Sequence, residues 1–161
     1  MTTWLTAEEQ RAWRGLMQLT SQLQTALGRQ LQDEHGISVA DYEVLGRLSG
    51  TSGEALRARE LGASLGWEQS RLSHQLSRMQ RRGLVEREEC ETDRRGATFR
   101  LTPEGRTAIE GAAPGHVEAV RRLVFDVLSP DQVTQMASLT GHLLDHLEGS
   151  GRRAGEATAS R

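Results

Sequence analysis

The segment from Gln69 to Arg82 carries the residues of this chain that are best suited to contact a nucleic acid. It contains four arginines and no acidic residue. Arginine can donate two hydrogen bonds to the O6 and N7 atoms of guanine, and serine, glutamine and histidine can contact base edges or phosphates. The whole chain has a net charge of −2, so any attraction for DNA must be local, and this segment supplies it.

The apolar residues of this segment predict a helix. Leu72, Leu76 and Met79 recur at spacings of four and three, which indicates one buried stripe on a helix that starts near Glu68 or Gln69. We call it the recognition helix; it is predicted to run to Arg82 and to end at the following glycine. At about 100° per residue the polar residues take the other side. The predicted DNA-contacting residues of this helix are Gln69, Ser70, Arg71, Ser73, His74, Gln75, Ser77 and Arg78.

The neighbouring segments predict a winged helix-turn-helix from Leu56 to Gly105. A short strand and a short helix come first, and Gly66 ends that helix by adopting a positive φ. After the recognition helix, two strands form a hairpin, in which residues 97, 99 and 101 are apolar and alternate with polar residues. The expected fold class is mainly α, an α+β winged helix-turn-helix with a small β-hairpin wing and long terminal helices.

The tip of the predicted wing is the turn Asp93-Arg94-Arg95-Gly96. Two arginines on a hairpin tip can enter a narrow minor groove. Asp93 is placed to orient one of their guanidinium groups. The alternative interpretation is an exposed charged turn without a partner, which is common at hairpin tips.

These motifs together resemble the DNA-binding domain of the MarR family of bacterial transcription regulators. The specific part is the D-x-R wing followed by L-T-x-x-G; the motifs are Glu60-Leu61-Gly62, Ser70-Arg71-Leu72-Ser73, Arg82-Gly83-Leu84-Val85-Glu86-Arg87, Asp93-Arg94-Arg95-Gly96 and Leu101-Thr102-Pro103-Glu104-Gly105. The resemblance implies a sequence-specific transcription regulator, a repressor released by a small-molecule effector. It also implies helices before and after the module.

Helical patterns do flank the module. A capping box at Thr6 and Glu9 starts a long first helix with an apolar stripe. A second long helix starts at Pro103, and Pro114 is expected to kink it or to break it locally. The predicted organisation is an N-terminal dimerisation helix at 1–36, the winged module at 37–105, C-terminal dimerisation helices at 106–148 and a disordered tail at 149–161.

The apolar stripes of the terminal helices are longer than one winged module can cover. Pairing with a second copy solves this, and a two-fold homodimer is the commonest closed assembly. The alternative is a monomeric helical bundle. Two DNA-reading modules in a dimer predict a pseudo-palindromic site on double-stranded DNA.

The family resemblance further implies a pocket for a small aromatic or anionic effector, between the dimerisation helices and the DNA-binding module. Trp13, Met17 and Tyr42 are the residues expected to line it, with His35 or His116 nearby. Ordinary core packing is the alternative for each of them.

Other classes of function find less support in the sequence. No G-x-S-x-G motif, phosphate-binding glycine loop or neighbouring Cys–His pair is present, so we expect no enzyme and no cofactor. A winged-helix protein-interaction module would expose apolar anchors rather than arginines on the recognition helix. A redox-responsive regulator could use Cys90, and a metal-responsive one could use His142 and His146, at i and i+4.

The location expected for the protein is the cytoplasm. A single cysteine excludes an internal disulfide framework and is typical of a reducing compartment. The first thirty residues contain no continuous apolar stretch of signal-peptide length, and no segment approaches the roughly 20 apolar residues of a membrane span. We therefore expect no membrane partner.

Overall fold

The computed structural model of the chain describes residues 3–50, 55–89 and 97–159. The described part is mostly helical with one small antiparallel sheet, as predicted. The elements follow one another as α1 (Ala7–His35), α2 (Val39–Ser49), β1 (Leu56–Arg57), α3 (Ala58–Leu65), α4 (Gln69–Arg81), β2 (Val85–Glu89), β3 (Ala97–Leu101), α5 (Pro103–Leu123), a 3-10 helix (Phe125–Val127) and α6 (Pro130–Ala159). Helix α4 is the recognition helix.

Side-chain caps begin the helices where the sequence predicts them. The hydroxyl of Thr6 accepts a hydrogen bond from the amide of Glu9, and the Glu9 carboxylate accepts one from the amide of Thr6. The same reciprocal pair, a capping box, forms between Ser129 and Gln132 ahead of α6. These bonds satisfy amide groups that have no partner inside the helix, so each cap fixes where its helix starts.

The sheet has the strand order β1-β3-β2, with both pairs antiparallel. Phe99 on the central strand lies opposite Leu56 and Arg87. It is buried, while Ala97 and Leu101 on the same strand are partly buried against the core. The alternation in the sequence therefore correctly predicts the buried side of β3.

A single core packs the winged module against the end of α1, α2 and the start of α5. Leu61, Leu72, Leu76 and Met79 are buried in it, as the helical periodicity predicts. The other buried members of the core are Leu31, Ile37, Val44, Leu45, Leu48, Leu84, Val85, Phe99, Ile109 and Ala112. Both helices of the helix-turn-helix are thus anchored from behind.

The start of α5 is locked onto the base of the wing. The Thr102 amide donates to the Leu84 carbonyl at 3.3 Å, and the Thr102 hydroxyl donates to the Gly83 carbonyl at 2.6 Å. Gly105 lies directly above this point, where a Cβ atom would overlap the Leu84 carbonyl oxygen and lie 2.9 Å from the carbonyl carbon. The last glycine of the L-T-x-x-G motif is therefore required by a close backbone approach.

Helix α5 differs from its prediction in one respect. It runs through Pro114 to Leu123 and is therefore not broken there, although Pro114 is predicted to kink α5 or to break it locally.

Two compact units are defined by contacts between residues, Met1–Ala119 and Val120–Arg161. The second unit contains the 3-10 helix and α6, whose Leu139, Leu143 and Leu144 are exposed. Helix α6 continues to Ala159, and so extends into the segment 149–161 for which a disordered tail is predicted. Alanine, arginine and glutamate between the glycines favour a helix, and no proline interrupts it.

Among the described helices, none has the length and apolarity that crossing a membrane requires.

Candidate nucleic-acid interface

The turn between α3 and α4 sets the angle at which the recognition helix is presented. Gly66 ends α3 with a φ of 64°, in the left-handed region. Gly62 lets α4 approach closely, because a Cβ atom at this position would lie 3.3 Å from Leu72 Cδ2. Gly83, with a φ of 70°, follows the other end of α4. The predicted roles of Gly66 and Gly83 as helix terminators are confirmed.

The outer face of α4 is exposed, polar and basic. It carries three exposed serines and three exposed arginines, which are Arg71, Arg78 and Arg81. The exposed residues that the sequence predicts as DNA contacts are Gln69, Ser70, Arg71, Ser73, His74, Ser77 and Arg78. No acidic residue lies within Gln69–Arg81 to oppose a phosphate backbone. This face has the shape and charge to enter a major groove.

Gln75 does not belong to this face, which corrects its prediction as a DNA contact. Its side chain is buried, and its Nε2 atom donates a hydrogen bond to Asp41 Oδ1 at 2.6 Å. Position 75 lies next to Met79 on the helical wheel, at the edge of the buried stripe, so it is turned inward. A polar side chain can occupy this side because it finds a buried acceptor.

Asp41 is the centre of a buried polar network that the sequence did not reveal. The carboxylate is 1 % exposed and accepts from Gln75, from Arg82 Nη1 at 2.6 Å and from the Ser38 amide at 2.8 Å. Arg82 Nη2 also donates to the Gly36 carbonyl at 2.8 Å. We call these five residues the Asp41 network; it ties α4 to α2 and to the end of α1.

Two opposing effects act on the Asp41 carboxylate. Burial would raise the pKa of Asp41, but hydrogen bonds from Ser38 and the guanidinium of Arg82 outweigh it and hold the pKa below its usual range. The carboxylate is therefore ionised at neutral pH. The capping box Ser38-x-x-Asp41 could have been found from the sequence, but nothing local pairs it with residues 75 and 82.

The described part of the wing is held together by an ion-pair cluster. Arg100 Nε lies 2.6 Å from Glu86 Oε1 and 2.9 Å from Glu88 Oε1. Glu86 is opposite Arg100 in the strand register, so the pair reinforces the hairpin. The predicted tip residues Asp93, Arg94 and Arg95, and Cys90, lie outside the described residues.

A cavity of about 490 Å³ opens between α1, α2 and α5. Leu23 and Leu27 give it apolar walls, and Glu43 and Arg47 add one charge of each sign. Tyr42, one of the three residues predicted to line an effector pocket, lines this cavity. Trp13 and Met17 are not among the lining residues; they are 55 % and 43 % exposed on the N-terminal half of α1.

Two aromatic rings meet at the wall of this cavity. The ring centroids of Tyr42 and His116 are 4.2 Å apart. Burial raises the pKa of Tyr42 and lowers the pKa of His116, so both side chains are uncharged at neutral pH. Within the described part of the chain, the buried His116 Nδ1 atom has no hydrogen-bond partner. The cavity thus combines an apolar wall with the rings of Tyr42 and His116.

Among residues 3–50, 55–89 and 97–159, no group of three or more histidine, cysteine, aspartate or glutamate side chains is arranged to hold a metal ion. His142 and His146, considered above as a pair of metal ligands, both lie on α6.

Comparison with known proteins places these features in context. A family model described as MarR family matches residues 35–96, which include α2, α3, α4 and β2. The chain is 39 % identical to AbsC, a MarR family transcriptional regulator from Streptomyces coelicolor, with 92 % of this chain and 99 % of that chain covered and a TM-score of 0.86.

Two further solved structures are informative. Sco3205, a MarR family transcriptional regulator from Streptomyces coelicolor solved in complex with DNA, is 38 % identical over 91 % of this chain and 92 % of that chain, with a TM-score of 0.87. BpsR from Bordetella bronchiseptica, described with a mechanism for regulation of its DNA binding by 6-hydroxynicotinic acid, is 19 % identical over 83 % of this chain and 98 % of that chain, with a TM-score of 0.73. The second likeness is one of fold.

Proposed function

The chain belongs to the MarR family of transcriptional regulators, and from that premise we propose that it is a homodimer that reads a pseudo-palindromic site on double-stranded DNA. It acts as a repressor that a small-molecule effector releases from the DNA. No catalytic group is assigned to it, because its relatives are transcriptional regulators.

The observation that carries this proposal is the two-sided character of α4. Its inner side is anchored by three buried apolar residues and by the bond from Gln75 to Asp41. Its outer side presents hydroxyl, amide, imidazole and guanidinium groups to solvent. A rigid helix with such an outer side is suited to hydrogen-bond base edges and phosphates at the same time. The DNA complex of Sco3205 supports the choice of partner.

The dimer is supported by apolar surface that one chain leaves uncovered. Leu16, Met17 and Leu19 of α1 are between 43 % and 51 % exposed, and Leu139 and Leu143 of α6 are 65 % and 51 % exposed. Exposed apolar side chains that repeat along one helix, as they do on each of these two, mark an interface. A second copy would present the same faces, which gives a self-complementary two-fold contact.

Selection of bound sequences from random DNA, followed by footprinting on the selected site, tests the proposal. We expect two inverted half-sites whose centres are about 10 bp apart, because two recognition helices of a dimer enter successive turns of the major groove. Sedimentation should give twice the chain mass at micromolar concentration. Protection of one isolated half-site, or a monomer in solution, would contradict the proposed dimer geometry.

Arg71 is proposed to read a base. Its position in the first turn of α4 puts the guanidinium among the side chains that reach deepest into the groove. Arg71→Ala is expected to weaken binding by about 1–3 kcal/mol and to relax the preference at one base pair. Binding to the selected site and to single-base variants, measured at fixed salt, checks this. An equal loss on all sequences, with the salt dependence reduced by about one counterion, would make Arg71 a phosphate anchor instead.

The cavity beside Tyr42 is the proposed effector site. The Tyr42 ring in its wall and the guanidinium of Arg47 suit an aromatic ligand that carries a negative charge. The regulation of BpsR by an aromatic acid supports this class of ligand. An effector that prefers a conformation unsuited to DNA must weaken DNA binding by the same factor by which DNA weakens effector binding.

Planar aromatic acids are the trial ligands for this site, with binding measured by calorimetry. Tyr42→Leu is expected to lower ligand affinity about two- to tenfold, since it removes an aromatic contact. Trp13→Phe is the matched control, because Trp13 does not line the cavity, and it should leave ligand affinity unchanged. Equal effects of the two substitutions would place the ligand elsewhere.

A further inference from the structure

The guanidinium of Arg71 stacks on the indole ring of Trp67. The Cζ atom of Arg71 lies 4.1 Å from the ring centroid. Trp67 precedes Arg71 by four residues and lies in the turn between α3 and α4. We propose that Trp67 is a positioning residue for base recognition, whose ring holds Arg71 in the orientation in which it reads the DNA. This inference rests on the DNA-binding function proposed above.

The indole ring of Trp67 is held in place by a backbone hydrogen bond and by packing against the core. The Trp67 amide donates to the Gly62 carbonyl at 3.0 Å, and the Trp67 side chain is partly buried against the core. Gly62 keeps this corner tight, since a Cβ atom there would lie 3.3 Å from Leu72 Cδ2. The backbone of Trp67 is thereby fixed to α3, and its ring cannot turn away without leaving the core.

Stacking leaves the recognition chemistry of Arg71 available. The guanidinium is planar, and its N–H donors all point outward in the plane of the group. A ring on one face therefore occupies none of the donors that guanine O6 and N7 would need. The Arg71 side chain is exposed, and no described carboxylate lies within ion-pair distance of it. Without the ring, it would lose more conformational freedom on binding DNA.

The other arginines at the end of α4 have different partners. Arg82 is bound by Asp41 and the Gly36 carbonyl, and Arg81 Nη1 lies 3.4 Å from the Ser77 hydroxyl. Arg81 therefore serves as a matched control, because it is on the same helix and does not contact Trp67. Arg71 is held by an aromatic ring, which leaves all its N–H donors available, whereas the bonds of Arg81 and Arg82 use donors.

If Trp67 instead held Arg71 away from the DNA, removing the ring would change DNA affinity in the opposite direction. If Arg71 had to leave the ring to reach a base, the stacking would be lost on binding and Trp67 would act as an inhibitor. Removal of the ring would then tighten DNA binding. Preorganisation and sequestration can thus be separated by the direction of one measured change.

The test is a double-mutant cycle on the full-length protein with the site selected from random DNA. The measured quantity is the discrimination ratio, the Kd for a site with the Arg71-dependent base pair replaced divided by the Kd for the intact site. Trp67→Leu keeps apolar packing and should lower this ratio about three- to tenfold. Trp67→Phe retains a ring and should lower it less. Should the leucine variant fail to fold, the phenylalanine variant decides, with melting monitored by circular dichroism.

The backgrounds identify the residue through which Trp67 acts. In an Arg71→Ala background, Trp67→Leu should change the ratio no further; in an Arg81→Ala background, its effect should equal that in the unmodified protein. Three results would overturn the proposal: the same loss with and without Arg71, tighter binding by Trp67→Leu, or no base pair that depends on Arg71. A wild-type protein that binds no DNA would instead refute the proposed function.

Discussion

Asp41→Ala is expected to lower the free energy of unfolding by about 3 kcal/mol. The substitution leaves the buried Nε2 atom of Gln75 without its acceptor and removes the carboxylate that binds Arg82. It also removes one half of the cap of α2. The Arg82 side chain is 40 % exposed, so water replaces part of its lost contact, and the expected value is below that of a fully buried ion pair.

Glu9→Ala is the control for this prediction, with both variants followed by urea denaturation. Glu9 occupies the same capping-box position in α1 that Asp41 occupies in α2, but it is exposed. Its substitution should therefore cost much less. Equal losses for the two variants would mean that burial and the contacts with Gln75 and Arg82 contribute nothing.

The same network predicts a dependence of stability on acid. Because the folded-state pKa of Asp41 is held below its value of 3.8 in the unfolded chain, its contribution is complete at neutral pH. It is lost as the pH falls below about 4 and through the lower folded-state pKa. Asp41→Asn should flatten this part of the stability profile, and an unchanged slope would refute the assignment.

Gly105→Ala is expected to destabilise the protein by about 3 kcal/mol or more. The added methyl group would overlap the Leu84 carbonyl oxygen. That oxygen is backbone and already accepts from the Thr102 amide, so it cannot move aside as a flexible side chain would. Thermal denaturation and DNA binding measure the effect, and we expect both to be impaired because Leu84 immediately precedes β2.

Gly111→Ala on the same helix separates this clash from a general effect of alanine. Gly111 is exposed, and no atom lies within 4 Å of the position its Cβ would take. Alanine there should stabilise α5 by about 0.5–1 kcal/mol through its higher helix propensity. Destabilisation by both substitutions would show that the contact with Leu84 is not the cause.

Local patterns were sufficient to predict most of the fold. The capping residues Thr6, Ser38 and Ser129 and the terminating glycines Gly66 and Gly83 act on their own neighbours along the chain, so a single sequence contains the necessary information. The buried stripe of the recognition helix follows from its period in the same way. The wing strands were found from their alternation.

Long-range partners could not be predicted from the same information. The sequence predicts that Gln75 is exposed, because the residue is polar. In the structure it is buried, and its burial depends on a hydrogen bond to Asp41, which lies 34 positions earlier. The cavity likewise forms where α1, α2 and α5 meet, and a single sequence does not contain the angles between these helices. Of the three residues predicted to line an effector pocket, Tyr42 lines the cavity, whereas Trp13 and Met17 do not. The DNA contacts predicted for α4 are local to one helix, whereas the residues that hold this helix in place are distributed along the chain.

The bonds of Thr102 to Gly83 and Leu84 join the two ends of the wing at its base. Residues 90–96 connect Glu89 to Ala97. A change in their number should not strain the core, because lengthening a loop costs little free energy once its ends are fixed. Insertions between residues 90 and 96 are thus expected to leave the stability of the core unchanged.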